Sequence, residues 1–569
     1  MYLNTIMKKN NLYVLAIAGA VAMSSCSKLG DLSADNFKVT PTPLEAIGGE
    51  VPATINGVFP EKYMKKKAVV TVTPVLKYEG GEAVGQSATF QGEKVEGNGT
   101  QIEYKVGGSY TMKTNFQYVP AMISSELYAR FEAKLGKKTV SIPEVKIGYG
   151  VLSTSELLKK CVITASTAPD AYQRIIEQKQ EANIKFLIGQ ANLRTSELSS
   201  VSIQDLVKIL KEINDMQEER ALQSIEVSAY ASPDGGYSFN ERLAEKRQNV
   251  SAKYMQKELK KISMEAEIDT KFTAEDWEGF KELVSKSNLQ DKDVILRVLS
   301  MYQDPEEREQ QIRNMSSVFT EIADGILPEL RRARLIVNYE VIGRSDEQII
   351  AQIKEDASKL SVEEMLYAAN TLANDYATRK AWYEKTTKLY PNDYRAYNNL
   401  AQIAIMEGNE TAAQNWLQKA QSVNAKAPET NANLALLAIK NGDTAKAEAY
   451  MGKASGSDTF NEILGNLNIA KGNYIQAEQN LSTTQTNSAA LAQILNKDYA
   501  KAKNTLSAIK TPDATTSYLK AILAARTNDV SALKSNLKAA VSLDSSLKTR
   551  AANDLEFANH KTSIADIVK

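Results

Sequence analysis

The 569-residue chain predicts a multidomain protein: an N-terminal all-β sandwich, a central α+β domain and a C-terminal all-α superhelix. Three observations carry that expectation. β-branched runs punctuated by glycine pairs fill residues 37–165. A stretch of period two then passes through Pro and Gly into a helical period near residue 240. Beyond residue 346, small and leucine-like residues recur thirty-four positions apart.

The N-terminus comes first. Lys8 and Lys9 precede a short apolar run, Leu12 to Met23, which ends in Met23-Ser24-Ser25-Cys26. A positive region, an apolar region and small residues before a cysteine, in that order, make a targeting segment. It resembles a bacterial lipoprotein signal, which implies a signal peptide over residues 1–26 with Cys26 lipidated and an outer-membrane anchor. Each methylene buried in the bilayer is worth ~0.8 kcal/mol, so a multiply acylated cysteine holds firmly. Residues 27–36 are small and polar, a tether.

Composition narrows the function. Lys+Arg and Asp+Glu both number 69, so no global basic field exists and no nucleic-acid partner is expected. The single histidine, His560, leaves no His-based acid/base catalysis or zinc site. After Cys26 only Cys161 remains. Within Cys161-Val162-Ile163 it reads as a buried structural thiol rather than a nucleophile. No catalytic residue, metal or cofactor is expected, and the chain is read as a non-enzyme.

In the β-rich region 37–165, the run Ala68 to Thr73 closes on Pro74. Gly80-Gly81, Gly97-Asn98-Gly99 and Gly107-Gly108 fall at strand-plus-turn intervals. The aromatic and proline segments Phe59 to Met64 and Tyr118 to Met122 read as loops that cover the core. Pro169 to Glu181 reads as a polar helical connector to the next domain.

The central domain is placed at 181–342, with a helical insertion at about 260–328. Ala182 to Ile188 reads as its first strand, and Leu206, Ile209, Leu210 and Ile213 mark an amphipathic helix. Ile225, Val227, Ala229 and Ala231 alternate as in a half-buried strand. Pro233, Asp234, Gly235 and Gly236 turn the chain, and Leu243, Arg247, Val250 and Tyr254 fall along one helical stripe, with Asn240 as the expected N-cap. In the insertion, Glu275, Asp276 and Glu278 read as solvated helix-start acids.

A strand, a Gly-containing loop and a helix spelled N-x-x-L-x-x-x-R-x-x-V resemble the OmpA-like peptidoglycan-binding domain. Arg331-Arg332-Ala333-Arg334-Leu335-Ile336-Val337 is similar to that family's final strand. The resemblance implies a loop aspartate and a helix arginine that hold the amine and carboxylate of a stem-peptide residue. Arg247 matches the arginine, whose planar fork suits a carboxylate. Ser232 stands at the aspartate position, Asp234 lies two residues on, and Asn240 completes the candidate set. On the residues alone, Arg247 could equally pair with a neighbouring glutamate.

From 346 to 569 the chain is helical. Tyr397, Leu400, Ala401, Ala404, Gly408, Ala413, Leu417 and Ala420 map onto Asn431, Leu434, Ala435, Ala438, Gly442, Ala447, Met451 and Ala454 after a shift of thirty-four, the tetratricopeptide period. Later units fall short of it. Such stacks expose a concave groove, and Asn398, Asn399, Gln402 and Asn433 are amides placed to hydrogen-bond a peptide backbone there.

Together these features imply an outer-membrane lipoprotein facing the periplasm. It would bind peptidoglycan through the OmpA-like domain and scaffold a protein partner through the repeats. The alternative keeps the scaffold and drops peptidoglycan binding, because Ser232 carries no charge.

Overall fold

The computed structural model describes residues 29–289, 291–314 and 316–569; Cys26 and the signal-like segment lie outside them. The chain forms two compact units. One joins the region up to Pro169 with Asp375–Lys569, and the other is Asp170–Asn374. The β-rich region and the helical repeats thus share a unit, and the central α+β region is inserted between them in sequence.

Alternation builds the β-rich part. Its strands are β1 (Phe37–Thr40), β2 (Leu44–Glu45), β3 (Glu50–Phe59), β4 (Ala68–Tyr78), β5 (Gly81–Val84), β6 (Ala88–Gly92), β7 (Thr100–Ile102), β8 (Gly108–Gln117), β9 (Glu126–Leu135), β10 (Lys138–Val140), β11 (Val145–Tyr149) and β12 (Val151–Leu152). One sheet runs β1-β3-β8; the other runs β10-β9-β4-β6-β7, with β11 on β9 and β5 on β4. Every second residue of β3, β8 and β9 points inward, among them Val51, Ile55, Met112, Phe116, Leu127 and Phe131. Tyr63, Met64 and Met122, from the two aromatic and proline segments, are buried in the same core. Phe90 and Tyr110 pack with ring centroids 4.2 Å apart and planes tilted by 40°. Gly57 lies so near that a Cβ there would sit 2.2 Å from the Tyr110 ring.

In the second unit, strands β13 (Ile175–Lys185), β14 (Arg220–Tyr230), β15 (Ile268–Thr273) and β16 (Arg332–Ile342) form a sheet in the order β13-β16-β14-β15. Helices Val201–Asp215 and Tyr237–Lys261 supply Leu206, Leu210, Met255 and Leu259 to a core shared with Ile184, Val227 and Leu335 of the sheet. Two expectations change. Where a helical connector was read, β13 already begins at Ile175 and pairs with β16 along its whole length, Ile175 opposite Ile342. Sheet pairing overrides the polar, helix-like composition there. Helix Tyr237–Lys261 begins three residues before Asn240, with Gly236 at the N-cap. The expected insertion contains β15, parallel to β14, followed by helices that pack around Phe280, Val284, Ile295, Leu299 and Leu327. The acid Asp276 caps the first of these, accepting from the Gly279 N–H at 2.9 Å.

The C-terminal helices pair as tetratricopeptide-type repeats. First helices start at Tyr394, Pro428, Phe460, Asn487 and Ala514, each followed by a second helix; the thirty-four-residue spacing holds once and then shortens. A local device persists through the drift. Gly408, Gly442 and Gly472, then Lys497 and Asn528, hold the positive-φ position between paired helices. The residue after it is Asn or Asp every time. In four of these turns, at Asn409, Asp443, Asp498 and Asp529, it caps the second helix.

Candidate functional site

Residues 161–169 leave the β-rich part as an extended strap. Cys161, Ile163 and Ala165 are buried and Val162 and Thr164 exposed, so one edge of the strap faces protein and the other faces water. The buried edge joins the hydrophobic core of the repeats, with Leu434, Ile463 and Leu491. Burial pushes the Cys161 thiol up to about 12, with Ser488 opposing by a hydrogen bond, which keeps the sulfur protonated and unreactive.

Amides of the first helices read the strap backbone. Asn433 accepts from the Ser166 N–H at 2.7 Å and donates to the Ser166 carbonyl at 2.8 Å. Asn399 does the same at Ala168, at 2.7 and 2.9 Å. Asn398 donates to the Ser166 carbonyl at 3.1 Å and accepts from Asn433 at 3.0 Å. All three asparagines are fully buried. An amide donates and accepts from one plane, so a single Asn satisfies both polar groups of one extended residue. The groove therefore binds a peptide backbone, and that backbone belongs to this chain.

Sequence placed Asn398, Asn399 and Asn433 in the groove without their ligand. Gln402, expected beside them, instead donates to the Met406 sulfur. Four further contacts were missed. Glu462 accepts from the Thr164 N–H, Asp458 from the Ser166 hydroxyl, Thr515 donates to the Lys160 carbonyl and Arg395 to the Pro169 carbonyl. Asn399 and Asn433 stand thirty-four residues apart, at the same place in successive first helices.

The second candidate site is the loop after β14. Arg247 is 1% exposed. Its Nε donates to the Gln190 carbonyl at 3.0 Å, Nη1 to Tyr230 at 2.8 Å and Nη2 to Leu187 at 3.2 Å. Its guanidinium lies 5.1 Å from the Phe186 ring centroid. Burial, then the nearby Arg331 charge, push its pKa down to about 10. Asp234 pairs with Arg331 at 2.9 Å and accepts from the Ser232 hydroxyl at 2.5 Å, while Arg331 also donates to that hydroxyl at 3.2 Å. Asn240 donates to the carbonyls of Ser232 and Gly235 at 3.1 and 2.8 Å, tying the loop to the helix it was expected to cap. Ser232 and Asp234 thus meet in one loop that Asn240 ties to the helix, and Arg247 is bonded to the residue before it, Tyr230. Arg331, read from sequence only as the start of a strand, supplies the positive partner of Asp234.

No protein-family model matches the chain, and no curated protein matches it either. Among solved structures it is similar to PilW, a widely conserved type IV pilus biogenesis factor, at 19% identity and TM-score 0.27, over 36% of this chain and 98% of that one. It is also similar to a tetratricopeptide repeat protein from Parabacteroides merdae at 15% identity and TM-score 0.27, over 44% and 98%. Pseudomonas aeruginosa pilF is similar at 15% identity and TM-score 0.25, over 38% and 95%.

Proposed function

We propose that the chain is a non-catalytic scaffold lipoprotein, anchored through Cys26 to the outer membrane and facing the periplasm, whose OmpA-like region does not grip the cell wall. Arg247 carries this proposal. A carboxylate clamp needs guanidinium donors within reach of a ligand, and here three of them serve the backbone carbonyls of Leu187, Gln190 and Tyr230. Asp234, the only carboxylate among the four candidate residues, is matched by Arg331 rather than left for an ammonium group. The repeats favour a scaffold for a different reason. Their asparagines hold residues 166 and 168 of the same chain, which ties the β-rich region to the superhelix and sends protein partners to other surfaces.

Pelleting with purified cell-wall sacculi tests the proposal. The full chain stays in the supernatant, and Arg247→Ala lowers the melting temperature without changing the partition. A chain that pellets, and stops pelleting as Arg247→Ala while still folded, restores the peptidoglycan-binding alternative.

A further inference from the structure

The sheet of the second unit has an edge that, among the described residues, is closed only at its Lys185 end, where the Lys185 N–H donates to Glu197 and the Lys185 carbonyl accepts from Arg194. Strand β13 is 11 residues long and pairs with β16 on one side only, in continuous register from Ile175 opposite Ile342 to Lys185 opposite Arg332. Its other side has no strand partner among the described residues. The first five residues, Ile175 to Lys179, are all exposed, Ile175 at 54% and Ile176 at 41%.

Natural edge strands are blunted by proline, a bulge, short length or a charge pointing toward the core side. β15, at the opposite edge, is six residues long. β13 has neither proline nor bulge. Side chains alternate across a strand, and Ala182 and Ile184 lie in the core beneath the helices. Ile176, Gln178 and Gln180 therefore belong to that same row, which carries no charge. Glu177, Lys179 and Glu181 occupy the open face.

We propose that β13 is a self-association edge, on which β13 of a second copy of this chain adds antiparallel about a two-fold axis at Gln178. A two-fold makes each residue meet its mirror position. Glu177 then faces Lys179 of the second copy, and Lys179 faces its Glu177, so two opposite-charge pairs form at once. Like charges directly opposite would disfavour the pairing. Ile176 lies opposite Gln180 on the helix side, and the two sheets become one of eight strands. Charge complementarity under the two-fold singles out a copy of this chain as the occupant, rather than an unrelated strand.

Sedimentation of the full chain in detergent tests this. Wild type runs at twice the mass of one chain, and Glu177→Lys, which sets one new lysine of each copy opposite Lys179 of the other on an exposed stretch, runs as a single chain with an unchanged melting temperature. Gln178→Cys sets the register, because opposed residues of an antiparallel pair lie about 4.5–5.5 Å apart at Cα, within disulfide reach. Oxidation crosslinks that variant between copies more efficiently than cysteines at 176 or 180. Wild type at single-chain mass at every concentration, or a dimer indifferent to Glu177→Lys, overturns the proposal; a crosslinking maximum at another position overturns the two-fold at Gln178.

Discussion

The strap groove and the Arg247 loop solve one problem with different chemistry. Both use buried side chains to bond backbone groups, and a buried N–H or C=O left unpaired costs about 1–3 kcal/mol. In the groove, asparagines meet N–H and C=O alternately, so an extended segment is satisfied on both counts. Arg247 meets only carbonyls, those of Leu187, Gln190 and Tyr230, and a donor-only guanidinium suffices. The side chain type follows the polarity of what is buried. A residue that resembles a ligand-binding group can thus be an internal fastener, and its exposure and partners distinguish the two uses.

Breaking the donor-only side should have the largest effect. Arg247→Ala removes three hydrogen bonds to carbonyls, of which Leu187 keeps the Gln190 N–H, and leaves an unfilled volume; it is expected to cost on the order of 4 kcal/mol in urea unfolding. Arg247→Lys keeps the charge without the fork and should cost about half as much. Asn399→Ala, on the amide side, orphans both polar groups of Ala168 and should cost about 2–3 kcal/mol, while Asn433→Ala orphans the Ser166 N–H and leaves its carbonyl to Asn398, and should cost about 1–2 kcal/mol. Gln402→Ala, away from the strap, should stay within about 0.5 kcal/mol.

A thiol probe sharpens the comparison. Cys161 is buried in the strap with its pKa raised from 9.0 to about 12. At pH 8 the folded chain should resist iodoacetamide, and Asn433→Ala should speed labelling while Arg247→Ala leaves the rate unchanged. The folded state holds the thiol proton more tightly than the unfolded state, so the unfolded chain binds fewer protons above pH 9. Stability from this group is complete below pH 9 and is lost as pH rises toward 12. Cys161→Ala should flatten that alkaline loss. Outside the described residues, Cys26→Ala should release the chain from the membrane fraction, the smallest change to the folded body.

Much of this was legible in sequence, for physical reasons. Alternation in Ile225, Val227 and Ala229 gave a strand because one face is buried. The tetratricopeptide spacing showed while helix lengths were regular, and the left-handed residue followed by Asn or Asp marks the turns after it shortens. β13 was hidden because its first half is polar and solvent-facing, a pattern shared with an exposed helix. The strap had no local signature at all. Cys161 to Pro169 acquires meaning only from side chains more than two hundred residues away. Arg331 was equally opaque, since a residue just ahead of a strand gives no hint of the loop its side chain reaches.

Hydrogen exchange of the full chain, resolved to residues 161–169, tests the cis-filled groove most directly. The Ser166 and Ala168 amides should exchange slowly, and Asn433→Ala should release Ser166 while Asn399→Ala releases Ala168. Fast exchange of both amides in the wild-type chain, at the rate of an open tether, would contradict it.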